Sequence, residues 1–332
     1  MDQPTVADMG ELELLKRLQP FCAQDLLNDD AAVLPPRSLA QVVTTDVLVD
    51  GVHFSDRTTA PEDVGWRAIA ANLSDLAAMG ALPTGITVGL ALPGKTPVSW
   101  VERVYQGMAD CLDAYGGKIL GGDIVRSPQT VLAITALGEV ALPRVIRRDR
   151  AQPGQVILAT GWHGASRAGL ELLLHPDHPQ ELSTVEQQAL IQAHQRPIPR
   201  LDVIRLLEAL EDEEFLAIAG MDSSDGLANA VLWLCQASGV GARLRRSRLP
   251  IPPSLAPWVG NQTALEWCLY GGEDFELVLC LPAETALELL TVLGNQASII
   301  GTIETDSSVV LVDDEGDEPD LTLTWDGCFQ HF

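Results

Sequence analysis

Three aspartates close apolar runs: Asp46 after Val42-Val43-Thr44-Thr45, Asp123 after Ile119-Leu120-Gly121-Gly122, and Asp222 after Ile218-Ala219-Gly220-Met221. Acids where strands run out face the crevice in which α/β layers bind ligands, and a cation in that space offsets their desolvation. The competing explanation is that Asp is a common cap and turn former. Further acids stand in similar contexts. Asp29-Asp30 precede Ala31-Ala32-Val33-Leu34, and in extended chain only one of two neighbours faces a given side. Asp75 falls near the C-terminal end of an expected helix, where an acid opposes the macrodipole and needs another reason to be present. Asp225 reads as a helix N-cap ahead of Gly226-Leu227, with Ser224 where helix-start N–H groups favour phosphate.

Oxygen ligands with few His or Cys partners suit Mg²⁺, which keeps waters and is shared between carboxylates and substrate phosphates. Zinc does not fit this set. His53 is the one histidine near the strand acids and by itself reads as a packing residue. Gly121-Gly122 and Gly271-Gly272, the latter before Glu273-Asp274, leave room for close backbone approach by a ligand.

Gly89-Leu90-Ala91-Leu92-Pro93-Gly94-Lys95-Thr96 matches the phosphate-loop pattern letter for letter. Its context is wrong, because the apolar strand runs through Gly89 and Pro93 removes an N–H that a phosphate cradle would use. We therefore expect no nucleotide cradle there.

The 332 residues carry 21 Lys+Arg against 46 Asp+Glu, a formal charge of −25, so the surface should repel nucleic acid and anionic lipid. An anionic substrate would need metal or local positive charge. Two Arg clusters, Arg144/Arg147/Arg148/Arg150 and Arg243/Arg245/Arg246/Arg248, are either solvated faces or phosphate contacts. Six separated cysteines without a C-x-x-C pair fit reduced, packed thiols in a cytoplasmic protein, and no run approaches the roughly 18 apolar residues of a spanning helix. The acidic stretch 313–318 reads as a solvated hairpin turn.

The elements that must hold these acids are α/β. Pro61 opens a helix that Gly80 closes, and Pro97 opens another whose Val101, Val104, Met108, Cys111 and Tyr115 recur at helical spacing before Gly116-Gly117. Strands are expected over 41–47, 85–92, 118–124 and 130–140, making a first α/β layer over residues 1–142. The Arg-rich stretch after Leu142-Pro143 marks a boundary, and 143–332 form a second α/β domain. Its strands are expected at 155–160 and 216–221, with a hairpin pairing 309–312 with 321–325. Its helices are expected near 164–174, 184–194, 200–209 and 282–294, with one more from Gly226.

Taken in order, Gly10-Glu11, Asp29 to Ala32, Thr44-Thr45-Asp46 with Gly51-Val52-His53-Phe54, Asn72 to Gly80, Gly121-Gly122-Asp123, Asp222 to Leu227, Gly271 to Glu276 and His331-Phe332 resemble the thiamine-monophosphate kinases. These belong to the ATP-binding superfamily of aminoimidazole ribonucleotide synthetase and selenophosphate synthetase. The resemblance implies transfer of the ATP γ-phosphoryl group to thiamine monophosphate, giving thiamine diphosphate, with several Mg²⁺ ions. It implies metal positions at Asp30, Thr44, Thr45, Asp46, Asp75, Asp123, Asp222 and Asp225. ATP contacts would be Gly122, Asp123, Arg148 and Ser224, and acceptor contacts His53, Glu273 and Phe329, with no general base. It also implies a cytoplasmic homodimer in which the N-terminal mixed sheets pair. The chain departs from the family at Leu26-Leu27-Asn28, where Gly-Ile-Gly is usual, and at Cys328-Phe329, where the aromatic is often Tyr. A selenophosphate synthetase would want a reactive Cys and a Lys near the N-terminus, and a hydrogenase-maturation relative a terminal Cys. From another class, the chain could be a non-catalytic acidic protein that binds divalent cations or partners.

Overall fold

The computed structural model describes residues 3–23, 31–32, 34, 36–177, 181–209, 218–314, 316 and 318–329. The chain divides into two units, Met1–Leu76 with Ala81–Leu142, and Ala77–Gly80 with Pro143–Phe332.

The first unit runs α1 (Val6–Met9), α2 (Glu11–Leu18), β1 (Ala40–Val49), α3 (Pro61–Ala78), β2 (Leu82–Leu92), α4 (Val98–Tyr115), β3 (Ile119–Arg126) and β4 (Val131–Val140). Its sheet has the order β1-β4-β2-β3, with β2 and β3 parallel and the other pairs antiparallel. Along β1 exposed and half-buried residues alternate, so Val42, Thr44, Asp46 and Leu48 share one face and Gln41, Val43, Thr45 and Val47 the other. In α4, Val101, Val104, Met108 and Cys111 are fully buried, and burying a Val or Met side chain contributes roughly 1.5–3 kcal/mol. Two glycines let α3 and α4 touch backbone to backbone. A Cβ on Gly65 would come within 1.9 Å of the Val104 carbonyl, and one on Gly107 within 1.8 Å of that of Glu62.

Two expectations about strand ends are corrected here. Asp46 lies inside β1, because pairing with β4 continues to Val49↔Val131. Asp123 lies inside β3, because pairing with β2 continues to Leu92↔Arg126. Cross-strand hydrogen bonding carried both strands past an acid that composition alone marks as a terminus.

The second unit runs β5 (Val156–Thr160), α5 (Ala165–Leu174), α6 (Thr184–Gln195), α7 (Leu201–Leu207), β6 (Ala219–Asp222), α8 (Leu227–Ser238), β7 (Gly241–Arg245), α9 (Leu255–Val259), α10 (Asn261–Tyr270), β8 (Leu277–Leu281), α11 (Ala283–Leu293), β9 (Ala297–Glu304), β10 (Val309–Val312) and β11 (Leu321–Thr322). Its mixed sheet has the order β11-β10-β7-β9-β5-β8-β6. β8 is buried along its whole length, and α8 contributes Leu227, Val231 and Leu234 to the same core. The hairpin is shorter than expected. β11 ends at Thr322, and Trp325 instead starts a single 3-10 turn packed edge-on against Trp233. None of the six cysteines forms a disulfide, and no described helix is long and apolar enough to cross a membrane.

Candidate active site

The candidate residues fall into two groups, one in each unit. In the first, Thr44 and Asp46 project from β1 toward α3. The Thr44 hydroxyl donates to the Asp75 carboxylate, and the Asp46 amide donates to Asn72 Oδ1 at 3.1 Å. Asn72 is in turn fixed by its Nδ2 donating to the Ala68 carbonyl at 2.9 Å. Asp75 thus has the reason that its place near a helix C-terminus demanded. A hydroxyl, two carboxylates and a backbone-anchored amide make an oxygen-rich strip.

Thr45 points to the opposite face of β1, where its hydroxyl shares a 2.8 Å hydrogen bond with Thr135. Its side chain therefore does not join Thr44 and Asp46. His53 follows β1 in a turn, and its Nδ1 accepts from the Val49 amide at 3.1 Å, which ties the turn to the strand end. Asp30, and with it the Leu26-Leu27-Asn28 stretch and His331-Phe332, lies outside the described residues.

Asp123 occupies the other edge of the sheet from Asp46, with β4 and β2 between. Strands lie roughly 4.8 Å apart, so three steps separate the two by about 14 Å within one chain, too far for a single ion. The register Asp46↔Ile134, Ile134↔Val88 and Val88↔Gly122 also assigns Asp123 to the other face. Gly122 sits so close to β2 that a Cβ there would meet the Val88 carbonyl at 2.1 Å, so no larger residue fits. Among the described residues, no three His, Cys, Asp or Glu side chains are grouped closely enough to hold a metal.

In the second unit Asp222 ends β6 with only 5% exposure, and Ser224 Oγ donates to its Oδ1 at 3.2 Å. Asp225 is exposed and is not the N-cap of α8. Gly226 takes that position at φ +101°, with no side-chain cap. A Cβ on Gly226 would meet the Leu269 carbonyl at 2.8 Å, so close packing against α10 displaced the polar cap. The Glu273 amide donates to the Ser224 carbonyl at 2.6 Å, which joins the 271–276 loop to the Asp222–Asp225 turn. Arg148 is exposed in the short turn 148–150, and Phe329 is 53% exposed after the final 3-10 turn. Arg147, its neighbour, pairs with Asp149, so part of that Arg cluster is a solvated ion pair.

The sequence did not reveal the buried polar groups behind this loop. Asp274 accepts from the Gly164 and Ser166 amides at 2.7 and 2.8 Å. Burial pushes its carboxyl up to about 7, against the lowering effect of those two bonds. Glu276 accepts from Arg200 Nη1 at 2.7 Å and from the Thr160 hydroxyl at 2.5 Å. The Gly271-Gly272-Glu273-Asp274 run hinted at a loop, but nothing local announced Arg200. The phosphate-loop look-alike behaves as its context suggested, with β2 running through Gly89 to Leu92. Its tail edges an open cavity of about 820 Å³ with Arg126 and Ser127, which none of the candidate acids lines.

The two units match the AIR synthase related protein family, its N-terminal domain over residues 28–140 and its C-terminal domain over 152–314. A thiamine-monophosphate kinase of Synechococcus elongatus is 48% identical over 100% of this chain and 99% of its own. One of Bacillus subtilis is 38% identical over 81% and 82%. The solved thiamine-monophosphate kinase from Stenotrophomonas maltophilia superposes with a TM-score of 0.76 at 33% identity, over 86% of this chain and 89% of that one. A structure described as AaThiL complexed with AMPPCP and TMP gives 0.73 at 31%, over 98% and 100%. The E. coli hydrogenase maturation protein HypE gives 0.76 at 20% identity, over 95% and 97%, which is a likeness of fold alone. The chain belongs to the thiamine-monophosphate kinase family, within the AIR synthase related proteins.

Proposed function

We infer that this protein transfers the γ-phosphoryl group of ATP to thiamine monophosphate in one in-line step, yielding thiamine diphosphate and ADP. The observation that carries the reading is the Thr44–Asp46–Asn72–Asp75 strip, set in a chain nearly half identical to a thiamine-monophosphate kinase. A relative bound to AMPPCP and TMP, an ATP analogue beside the acceptor, supports it.

The attacking phosphate oxygen is already anionic, so no side chain need remove a proton. The difficulty is to bring two polyanions into line. Asp30, Thr44, Asp46, Asp75, Asp123, Asp222 and Asp225, with the Thr45 backbone, offer only oxygen donors, which suits Mg²⁺. When bound, Mg²⁺ screens the phosphate charge. Gly122 allows backbone approach by the nucleotide, Arg148 supplies a fixed cation and Ser224 a hydroxyl. His53, Glu273 and Phe329 meet the acceptor, Glu273 offering its carboxylate to the cationic thiazolium.

We further propose a cytoplasmic homodimer, in keeping with six cysteines that form no disulfide. Val43, Val47 and Val125 are 60%, 46% and 50% exposed on the sheet face away from α3. Packing this face against the same face of a second copy would cover these valines and pair the two N-terminal sheets. An acidic scaffold remains the rival reading, and nothing specific favours it.

The test is coupled ADP release with thiamine monophosphate, ATP and Mg²⁺, with and without EDTA. Release that needs both acceptor and metal supports the kinase. Calorimetry showing Mg²⁺ binding indifferent to nucleotide, with no turnover, would establish the scaffold.

A further inference from the structure

The loop from Gly271 to Glu276 holds two non-glycine residues in the left-handed region, Glu273 at φ +57° and Phe275 at φ +53°. Such a conformation is strained for a side-chain-bearing residue and persists only where the surroundings over-determine it. Both flanking acids do so. Glu276 is tied to Arg200 and Thr160, and Asp274 is tied to the start of α5. Asp274 is 8% exposed and accepts two amide hydrogens, from Gly164 at 2.7 Å and Ser166 at 2.8 Å. Those are helix-start donors with no partner inside the helix, so the carboxylate caps α5 from 108 residues away. His194, 2% exposed on α6, completes the setting. Its Nδ1 lies 3.1 Å from Ser166 Oγ and 4.0 Å from Glu273 Oε2.

Glu273, the neighbour of this anchored residue, is half-buried, 35% exposed at its side chain, and its amide is held by the Ser224 carbonyl at 2.6 Å. We propose that Asp274 is the positioning residue for Glu273: by capping α5 it fixes the left-handed loop that presents the Glu273 carboxylate to the cationic, organic part of the acceptor. The inference rests on the reading of Glu273 as an acceptor contact. Asp274 touches no substrate. It sets where its neighbour's charge stands, and so affects acceptor affinity rather than the nucleotide.

The experiment is steady-state kinetics on the full chain as wild type, Glu273→Ala, Asp274→Asn and the double variant. In Asp274→Asn one of the two accepted bonds is replaced by an amide N–H facing a donor. Loss of a hydrogen bond to a charged group predicts a KM for thiamine monophosphate raised about tenfold, with the KM for ATP and kcat nearly unchanged. On a Glu273→Ala background Asp274→Asn should add less than about twofold, since two residues acting through one contact are not additive.

Full additivity, or an equal rise in both KM values, would overturn the proposal and leave Asp274 a purely structural cap. If Asp274→Asn does not fold, Ser166→Pro takes its place. It removes one donor at a helix position that tolerates proline, with Ser166→Ala controlling for the hydroxyl. The proposal then requires Ser166→Pro to raise the acceptor KM beyond Ser166→Ala, and equal values overturn it. Failure of the wider reading looks different. A wild type without thiamine-monophosphate kinase activity removes the function, and an unchanged KM in Glu273→Ala removes the contact while the function stands.

Discussion

The hydroxyl of Thr44 donates to the carboxylate of Asp75, joining strand β1 to the last turns of α3 across 31 residues of chain. The bond fixes Asp75 against the strand face that also carries Asp46, two residues beyond Thr44. Two carboxylates kept together on a half-buried strip repel unless a cation sits between them. Asp46→Asn should therefore lower kcat on the order of 10²-fold or more while leaving the fold intact. Asp123→Asn should do the same. ADP release alongside a thermal melt checks both, and near wild-type turnover in the two variants would remove the metal assignment.

Lys95→Ala should leave turnover within about twofold of wild type, since surface changes away from a site rarely move function or stability by much. β2 passes through Gly89 and ends at Leu92, just before Pro93, which lacks the N–H that a phosphate cradle would use. Loss of activity in this variant would restore the phosphate-loop reading.

Strands and helices were legible wherever their periodicity was strong. α4 shows its apolar stripe at three- and four-residue spacing, and α3 its Pro61 start and Gly80 stop. The site was legible only as residue types. Asp46 and Asp123 both looked like strand ends, and nothing in the chain order said that they occupy opposite edges of one sheet. That depends on β4 inserting between β1 and β2, a pairing set by non-local contacts. Asp225 resembled an N-cap for the same reason, because the approach of α10 that gives the cap to Gly226 comes through Leu269, 43 residues downstream. Arg200 and Glu276 are 76 residues apart, and neither has a local pattern that points to the other.

Removing Arg200 should destabilise the second unit more than removing the whole pair. Its side chain is 4% exposed, bonded to Glu276 and forked onto Asp202. Burial already pushes the Glu276 carboxyl up, and Arg200 is the largest influence holding it down. Arg200→Leu leaves that charge uncompensated at a cost of about 3–5 kcal/mol, whereas replacing both partners by apolar residues is often nearly neutral. Urea midpoints should thus rank wild type and Arg200→Leu/Glu276→Leu above Arg200→Leu alone. A double variant no more stable than the single would show that Glu276 is satisfied without Arg200.

Two buried groups in the second unit should contribute opposite slopes to its stability between about pH 4 and 6.5. Burial raises Asp274 to about 7, so between the unfolded value near 3.8 and 7 the folded state binds one more proton than the unfolded. Stability from this group falls as pH rises through that window, by about 1.4 kcal/mol per pH unit. His163 is fully buried, with neither ring nitrogen hydrogen-bonded, and burial lowers it to about 3. Between 3 and the unfolded value near 6.5 the unfolded state binds the extra proton, so stability from His163 rises with pH at the same slope. The two opposite slopes overlap and cancel. Asp274→Asn should therefore expose the histidine and make stability rise more with pH from 4 to 6.5 than in the wild type. His163→Leu should expose the aspartate and make stability fall more over the same range than in the wild type. Chemical denaturation at half-unit pH steps decides it, and parallel profiles for wild type and both variants would show that neither group titrates as its burial requires.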